Sequence, residues 1–137
     1  MWLDAFLTNV DRTFRNTNML IWHKELWLID HGASLYFHYS WVNWQKHAVS
    51  PFVQIKDHVL LPEASGLEEA NADMRRLLTE EKIREIVALI PDDWLHWSES
   101  PGTPQEIREI YIRFLCERLA HSETFIKEAQ DARKALI

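Results

Sequence analysis

Three polar side chains near the start of this sequence are of the types that phosphoryl transfer requires. Asp11 is followed five residues later by Asn16, and a second carboxylate, Asp30, comes at the end of an apolar stretch. A carboxylate can orient an acceptor hydroxyl and take its proton. An amide oxygen and a further carboxylate can hold Mg²⁺ against phosphate oxygens. Aspartate and asparagine also bond to backbone groups in loops, so Asp11 and Asn16 have an alternative reading as caps of a turn, with Asp30 a carboxylate at a strand end. Asn18 competes with Asn16 for the ligand role, but its spacing from Asp11 is seven. Arg12 and Arg15 have the chemistry to touch phosphate, although ion pairs with carboxylates are the commoner fate of such residues.

The elements around these residues set their geometry. Residues 2 to 9 (WLDAFLTN) read as a short helix with a broad apolar face, and residues 10 to 18 as a loop. MLIW (19 to 22) and LWLID (26 to 30) flank His23-Lys24-Glu25 and predict a β-hairpin with a three-residue loop. Both runs are apolar at nearly every position, which predicts cover on both faces from the helical body and a further lobe. LYFHYSWVNW has no clean period; irregular structure is expected, with a short helix near residues 40 to 46. Pro51 suits the first position of a helix running to about Leu61.

Helical signals dominate the remainder. Ser65 and Glu68 form a capping-box pattern ahead of the stripe Leu67, Ala70, Met74, Leu77 and Leu78. Thr79 should cap the next helix, with Glu80 and Glu81 at its positive end and Ile83, Ile86, Val87 and Ile90 inward. A short helical turn fits Pro91 to Trp97, and SESPGT reads as a loop. Thr103, Pro104 and Glu106 mark another start, with Ile107, Ile110, Tyr111, Phe114, Leu115 and Leu119 as the stripe and Arg118 at its edge. Ser122 opens a last helix with Phe125, Ile126, Ala129 and Leu136 inward. The fold class is therefore mainly α with one small β-hairpin, in one domain covering residues 1 to 137.

Composition narrows the functional classes. The chain has 137 residues, 47% of them apolar, enough for one domain with its own core. Its net charge of -6 and the lack of any basic run argue against nucleic acid or an anionic membrane as partner. No apolar run approaches the length of a membrane span, and the N-terminus does not read as a signal peptide. Cys116 is the lone cysteine, which suits a reducing cytoplasm and a buried, inert thiol. The histidines show no zinc spacing, and the band Trp22, Trp27, Trp41 and Trp44 reads as packing or as surface covered by another lobe.

NVDRTFRNTN together with LWLIDHGASLYFHYSW resembles the HipA-like kinases of bacteria and, more distantly, the phosphatidylinositol kinases. The likeness extends through PFVQIKDHVLLP to the C-terminal helices. In this resemblance Asp30-His31-Gly32 stands where kinases carry an Asp-Phe-Gly motif. Thr13 stands where the lipid kinases carry a histidine, which sets the chain apart from them. The resemblance implies the C-terminal lobe of a protein-kinase-like fold, with Asp11 as catalytic base and Asn16 and Asp30 as metal ligands. It implies Mg²⁺ and ATP as cofactors. Kinases grip ATP through a glycine-rich loop and a strand lysine that precede the catalytic loop. Gly32, Gly66 and Gly102 all follow Asp11 and form no such loop. The expectation is a catalytic lobe that needs an N-terminal lobe, on another polypeptide or in a longer gene product, to act on a protein or small-molecule hydroxyl. It further implies an exposed hairpin and tryptophan surface available to that lobe or to self-association. The alternative is a non-catalytic helical module that keeps the lobe's shape for docking a partner.

Overall fold

The computed structural model describes residues 1–96 and 100–136. Within them lie six α-helices: α1 (Trp2–Phe6), α2 (Trp44–Val49), α3 (Leu67–Leu77), α4 (Glu80–Ala88), α5 (Pro104–Ala120) and α6 (Ser122–Lys134). One antiparallel hairpin joins β1 (Met19–Trp22) to β2 (Glu25–Leu28). The expected class, mainly helical with a small hairpin, is what is found. Trp97, Ser98 and Glu99, within the expected turn and loop, lie outside the described residues; Asp92–Leu95 just before them is a 3-10 turn.

α5 is the axis of the core. Thr103 caps it in a full capping box, accepting from the Glu106 amide while Glu106 accepts from the Thr103 amide. Its residues Ile107, Tyr111, Phe114 and Leu115 are buried against α2 and α4. α6 brings Phe125, Ile126 and Ala129 against α1 and α3. Thr79 caps α4 as its sequence predicts, and Ile83 and Val87 are buried, while Ile86 is not.

Arg118 corrects the sequence reading most sharply. It lies in the core rather than at the edge of the α5 stripe, and is 1% exposed. Its guanidinium donates to the carbonyls of Ala5, Phe6, His47, Ala48 and Ser50. These oxygens belong to the C-terminal ends of α1 and α2, where helices leave carbonyls unpaired and carry negative partial charge. One buried cation thus closes two helix ends, and it sits 4.8 Å over the Phe125 ring.

Several local expectations fail for identifiable reasons. The Pro51–Leu61 helix is a 3-10 turn at Val53–Asp57, because His58 turns extended to pair with Thr13 and the Val59 amide donates to the Arg12 carbonyl. Ser65 does not cap α3; Gly66 holds the cap position, and Glu68 is drawn instead to Gln130 on α6. The helix expected at residues 40 to 46 forms at α2, after a 3-10 turn at Tyr36–Tyr39. Leu35, Trp41 and Asn43 are left-handed there, a geometry that no glycine in the stretch signals. Leu136 is exposed rather than inward, and Cys116 is half-buried, with burial raising its thiol pKa.

The hairpin differs in turn and in cover. Its loop is two residues, not three: His23 and Lys24 have φ of 49° and 67°, the left-handed pair of a type I′ turn. Met19 pairs with Leu28 and Trp22 with Glu25. Neither face is buried by the helical body, since Ile21 is 71%, Trp22 58%, Leu26 56% and Trp27 49% exposed. Of the tryptophan band, only Trp44 belongs to the core.

Candidate functional site

The loop bearing Asp11 begins where α1 stops. Thr8 has φ of 54°, a costly conformation for a β-branched residue, and it turns the chain away from the helix. Asn9 then reads back on α1: its amide nitrogen donates to Asp4 Oδ1 at 2.8 Å, while its Oδ1 accepts from the Asp11 backbone at 3.2 Å. Asp11 is half-buried. Its Oδ2 accepts from Asn16 Nδ2 at 2.7 Å and from Asn18 Nδ2 at 3.2 Å. A carboxylate only accepts, so the amide nitrogen of Asn16 must face Asp11 and its Oδ1 is left for other partners. Reciprocal contacts between Thr13 and Asn16 close the turn, from the Thr13 amide to the Asn16 carbonyl at 2.9 Å and from the Asn16 amide to Thr13 Oγ1 at 3.3 Å.

A buried network beneath this loop positions it. Arg12 and Asp4 are both buried, and Arg12 Nε donates to Asp4 Oδ1 at 3.0 Å. His58 Nε2 lies 3.0 Å from Asp4 Oδ2. The Leu60 amide donates to His58 Nδ1, so Nε2 carries the proton given to Asp4. Burial alone would raise the Asp4 pKa, but hydrogen bonds from His58, Arg12 and Asn9 outweigh it and hold the carboxyl well below the ordinary range. The other arm of Arg12 reaches the base of the hairpin. It donates to the Asn18 carbonyl and, at 3.5 Å, to that of Ile29, and Nη2 donates to His31 Nε2 at 3.2 Å. The ion pair expected of Arg12 is made with Asp4, a carboxylate whose sequence context signals only a short helix.

The structure brings Asp11 and Asn16 into direct contact and adds Asn18 to them. Asp30 hydrogen-bonds neither; its Oδ1 accepts from the Gly32 amide at 3.4 Å within its own turn. The hairpin nevertheless delivers Asp30 to the same end of the molecule. The Ile29 amide donates to the Asn18 carbonyl at 2.9 Å, and Arg12 reaches the Ile29 carbonyl and His31, the residues on either side of Asp30; Asn18 and Asp30 themselves have left-handed φ and leave the strand register. Asp30 and Asn16 are both exposed. An open cleft of about 440 Å³ adjoins the loop, lined by Thr13, Phe14, Arg15, Lys56 and Asp57. Arg15 and Lys56 bring two cationic side chains to this cleft and Asp57 a carboxylate, while Asp11 is not among its lining residues.

The donor set suits Mg²⁺ in kind: an amide oxygen and a carboxylate, both hard oxygens. Among the described residues there is no group of three or more histidine, cysteine, aspartate or glutamate side chains that could hold a metal. Mg²⁺ commonly binds through one or two carboxylates with substrate phosphates and water completing the shell, and the residues present fit that partial role rather than a closed cage. No helix among the described residues is long and apolar enough to cross a membrane. No protein-family model, curated protein or solved structure matches the chain.

Sequence reasoning missed Asp4, His58 and Asn9. Asp4 sits at helical spacing among apolar residues, and His58 lies in a segment read as helix. The Asp4 carboxylate pairs with Arg12 across 8 residues and with His58 across 54, which leaves no local signal.

Proposed function

We propose that this chain is the catalytic lobe of an ATP-dependent phosphotransferase of HipA-like character, acting on a hydroxyl of a protein or small molecule. The observation that carries the reading is the Asp11–Asn16 contact, with Asp30 returned to the same end by a hairpin tied at Asn18 and Ile29. Asp11 Oδ2 is held by two amides, which orients the carboxylate so that Oδ1 can take the proton of an acceptor hydroxyl. Asn16 Oδ1 and the Asp30 carboxylate would hold Mg²⁺. Bound Mg²⁺-ATP supplies the phosphoryl group and charge neutralisation. Arg15, Lys56 and Asp57 line the cleft that adjoins the Asp11 loop. Gripping the nucleotide falls to an N-terminal lobe bearing a glycine-rich loop and a lysine, which this sequence does not include.

With such a lobe supplied, Mg²⁺-ATP is expected to shift the Asn16 side-chain amide resonance. Asp11→Asn is expected to lower phosphotransfer by about 100-fold or more while leaving nucleotide binding in place. Transfer that is indifferent to Asp11→Asn would overturn the reading. The second reading, a non-catalytic module that docks a partner, draws on the exposed Ile21, Trp22, Leu26 and Trp27 of the hairpin. It is favoured if the two lobes associate through that surface and no nucleotide binds.

A further inference from the structure

Away from the Asp11 loop, a cavity of about 360 Å³ opens between the 3-10 turn at Tyr36–Tyr39, α4 and α5. That volume is at the small end of the range for small-molecule pockets, roughly 300–1,000 Å³. Its walls include Leu35, Val87, Leu95 and Leu115, and the exposed Ile86 and Trp94 stand at its rim. In this apolar lining two polar groups converge: His38 Nδ1 and Tyr111 Oη lie 3.0 Å apart. They satisfy each other only in part. A phenol both donates and accepts, and the second nitrogen of the imidazole has capacity of its own. Among the described residues no other hydrogen bond reaches Tyr111 Oη or His38 Nε2.

We propose that this cavity binds a small, uncharged aromatic molecule carrying one hydrogen-bonding group, anchored by the His38–Tyr111 pair. The aromatic preference follows from the rings already at the wall and rim, Tyr111, His38 and Trp94, which favour stacked or edge-on contact. The single polar group follows from the one polar anchor, His38 with Tyr111, among the described lining residues. The requirement for neutrality follows from the absence of any lysine, arginine, aspartate or glutamate among the described lining residues. Burial also lowers the His38 pKa and pushes that of Tyr111 up to about 12, so both groups stay uncharged at neutral pH. The pocket is independent of the phosphotransfer reading and stands or falls apart from it.

The test is an NMR titration of the ¹⁵N-labelled full chain with three probes of similar size: 4-ethylphenol, ethylbenzene and 4-ethylbenzoate. Saturable shifts are expected at the amides of Leu35, Val87, Tyr111 and Leu115 with 4-ethylphenol, weaker binding of ethylbenzene, and none of the anion. Tyr111→Phe keeps the shape and removes the hydroxyl. It should weaken 4-ethylphenol about three- to tenfold and leave ethylbenzene unchanged. Ile90→Trp, at a half-buried wall position, should block all binding while the dispersed spectrum persists. Non-saturable shifts, shifts confined to the exposed hairpin tryptophans, or equal binding of 4-ethylbenzoate would each overturn the proposal.

Discussion

At the scale of single residues, the candidate site is an exposed layer resting on a buried one. Asp11, Asn16 and Asp30 are legible in sequence because polar residues in a loop keep their spacing whatever the rest of the chain does. Asp4 is not legible, since its importance comes from Arg12 and His58 arriving from elsewhere. The buried layer has a pH signature. Asp4 has a folded pKa depressed below its unfolded value of about 3.9, so its ionised form contributes stability above that value. The contribution is lost as pH falls from there through the folded value, because the unfolded chain takes up the proton first. Asp4→Asn is therefore expected to destabilise by about 3 kcal/mol at pH 7. The gap from the parent chain should narrow progressively below about pH 4, as urea midpoints measured across that range will report. A gap that stays constant with pH would place the stabilisation in packing rather than in the ion pair.

At the scale of elements, capping was readable wherever donor and acceptor are close in sequence. Thr79 and Thr103 behave as their local patterns predict, whereas Ser65 loses its place because Glu68 is claimed by Gln130 from α6. The hairpin shows the same division. Its two apolar runs announce strands, but the turn depends on a left-handed pair that histidine and lysine do not advertise. Those residues carry a conformational cost that Asn-Gly avoids. Replacing them together (His23→Asn with Lys24→Gly) is expected to stabilise the hairpin by about 1 kcal/mol and to slow amide exchange from Met19 to Leu28 several-fold. Unchanged exchange would show that the type I′ turn does not limit opening of the hairpin. The failed helix after Pro51 has a related cause: pairing of His58 with Thr13 and of Val59 with Arg12 takes that backbone out of the helical region.

At the scale of the whole molecule, Arg118 joins what the loops separate. Its guanidinium meets carbonyls from α1 and from the end of α2, residues about 70 and 113 positions away in sequence. Removing it leaves several buried carbonyls unpaired. Arg118→Met is expected to cost about 3–5 kcal/mol, and Arg118→Lys most of that, because an ammonium cannot span the same oxygens. A chemical-denaturation midpoint close to that of the parent chain would mean that water satisfies these carbonyls. The hairpin lies at the opposite extreme, with large apolar side chains outward and its base tied through Arg12 to Asp4.

The sequence by itself determined the helical class, the single hairpin, two of the helix caps, the inward faces of α5 and α6 in large part, and the order of the acid, amide and acid. The caps and helix faces depend on residues within a turn or two of one another, where periodicity and capping chemistry dominate, and the order of acid, amide and acid is read directly along the chain. Tertiary structure alone decided the burial of Arg118, the Asp4–Arg12–His58 network, the exposure of both hairpin faces and the cavity at His38 and Tyr111. These are pairings across long stretches of chain. They depend on which polar group reaches which partner once water has been excluded, and no local pattern encodes that choice.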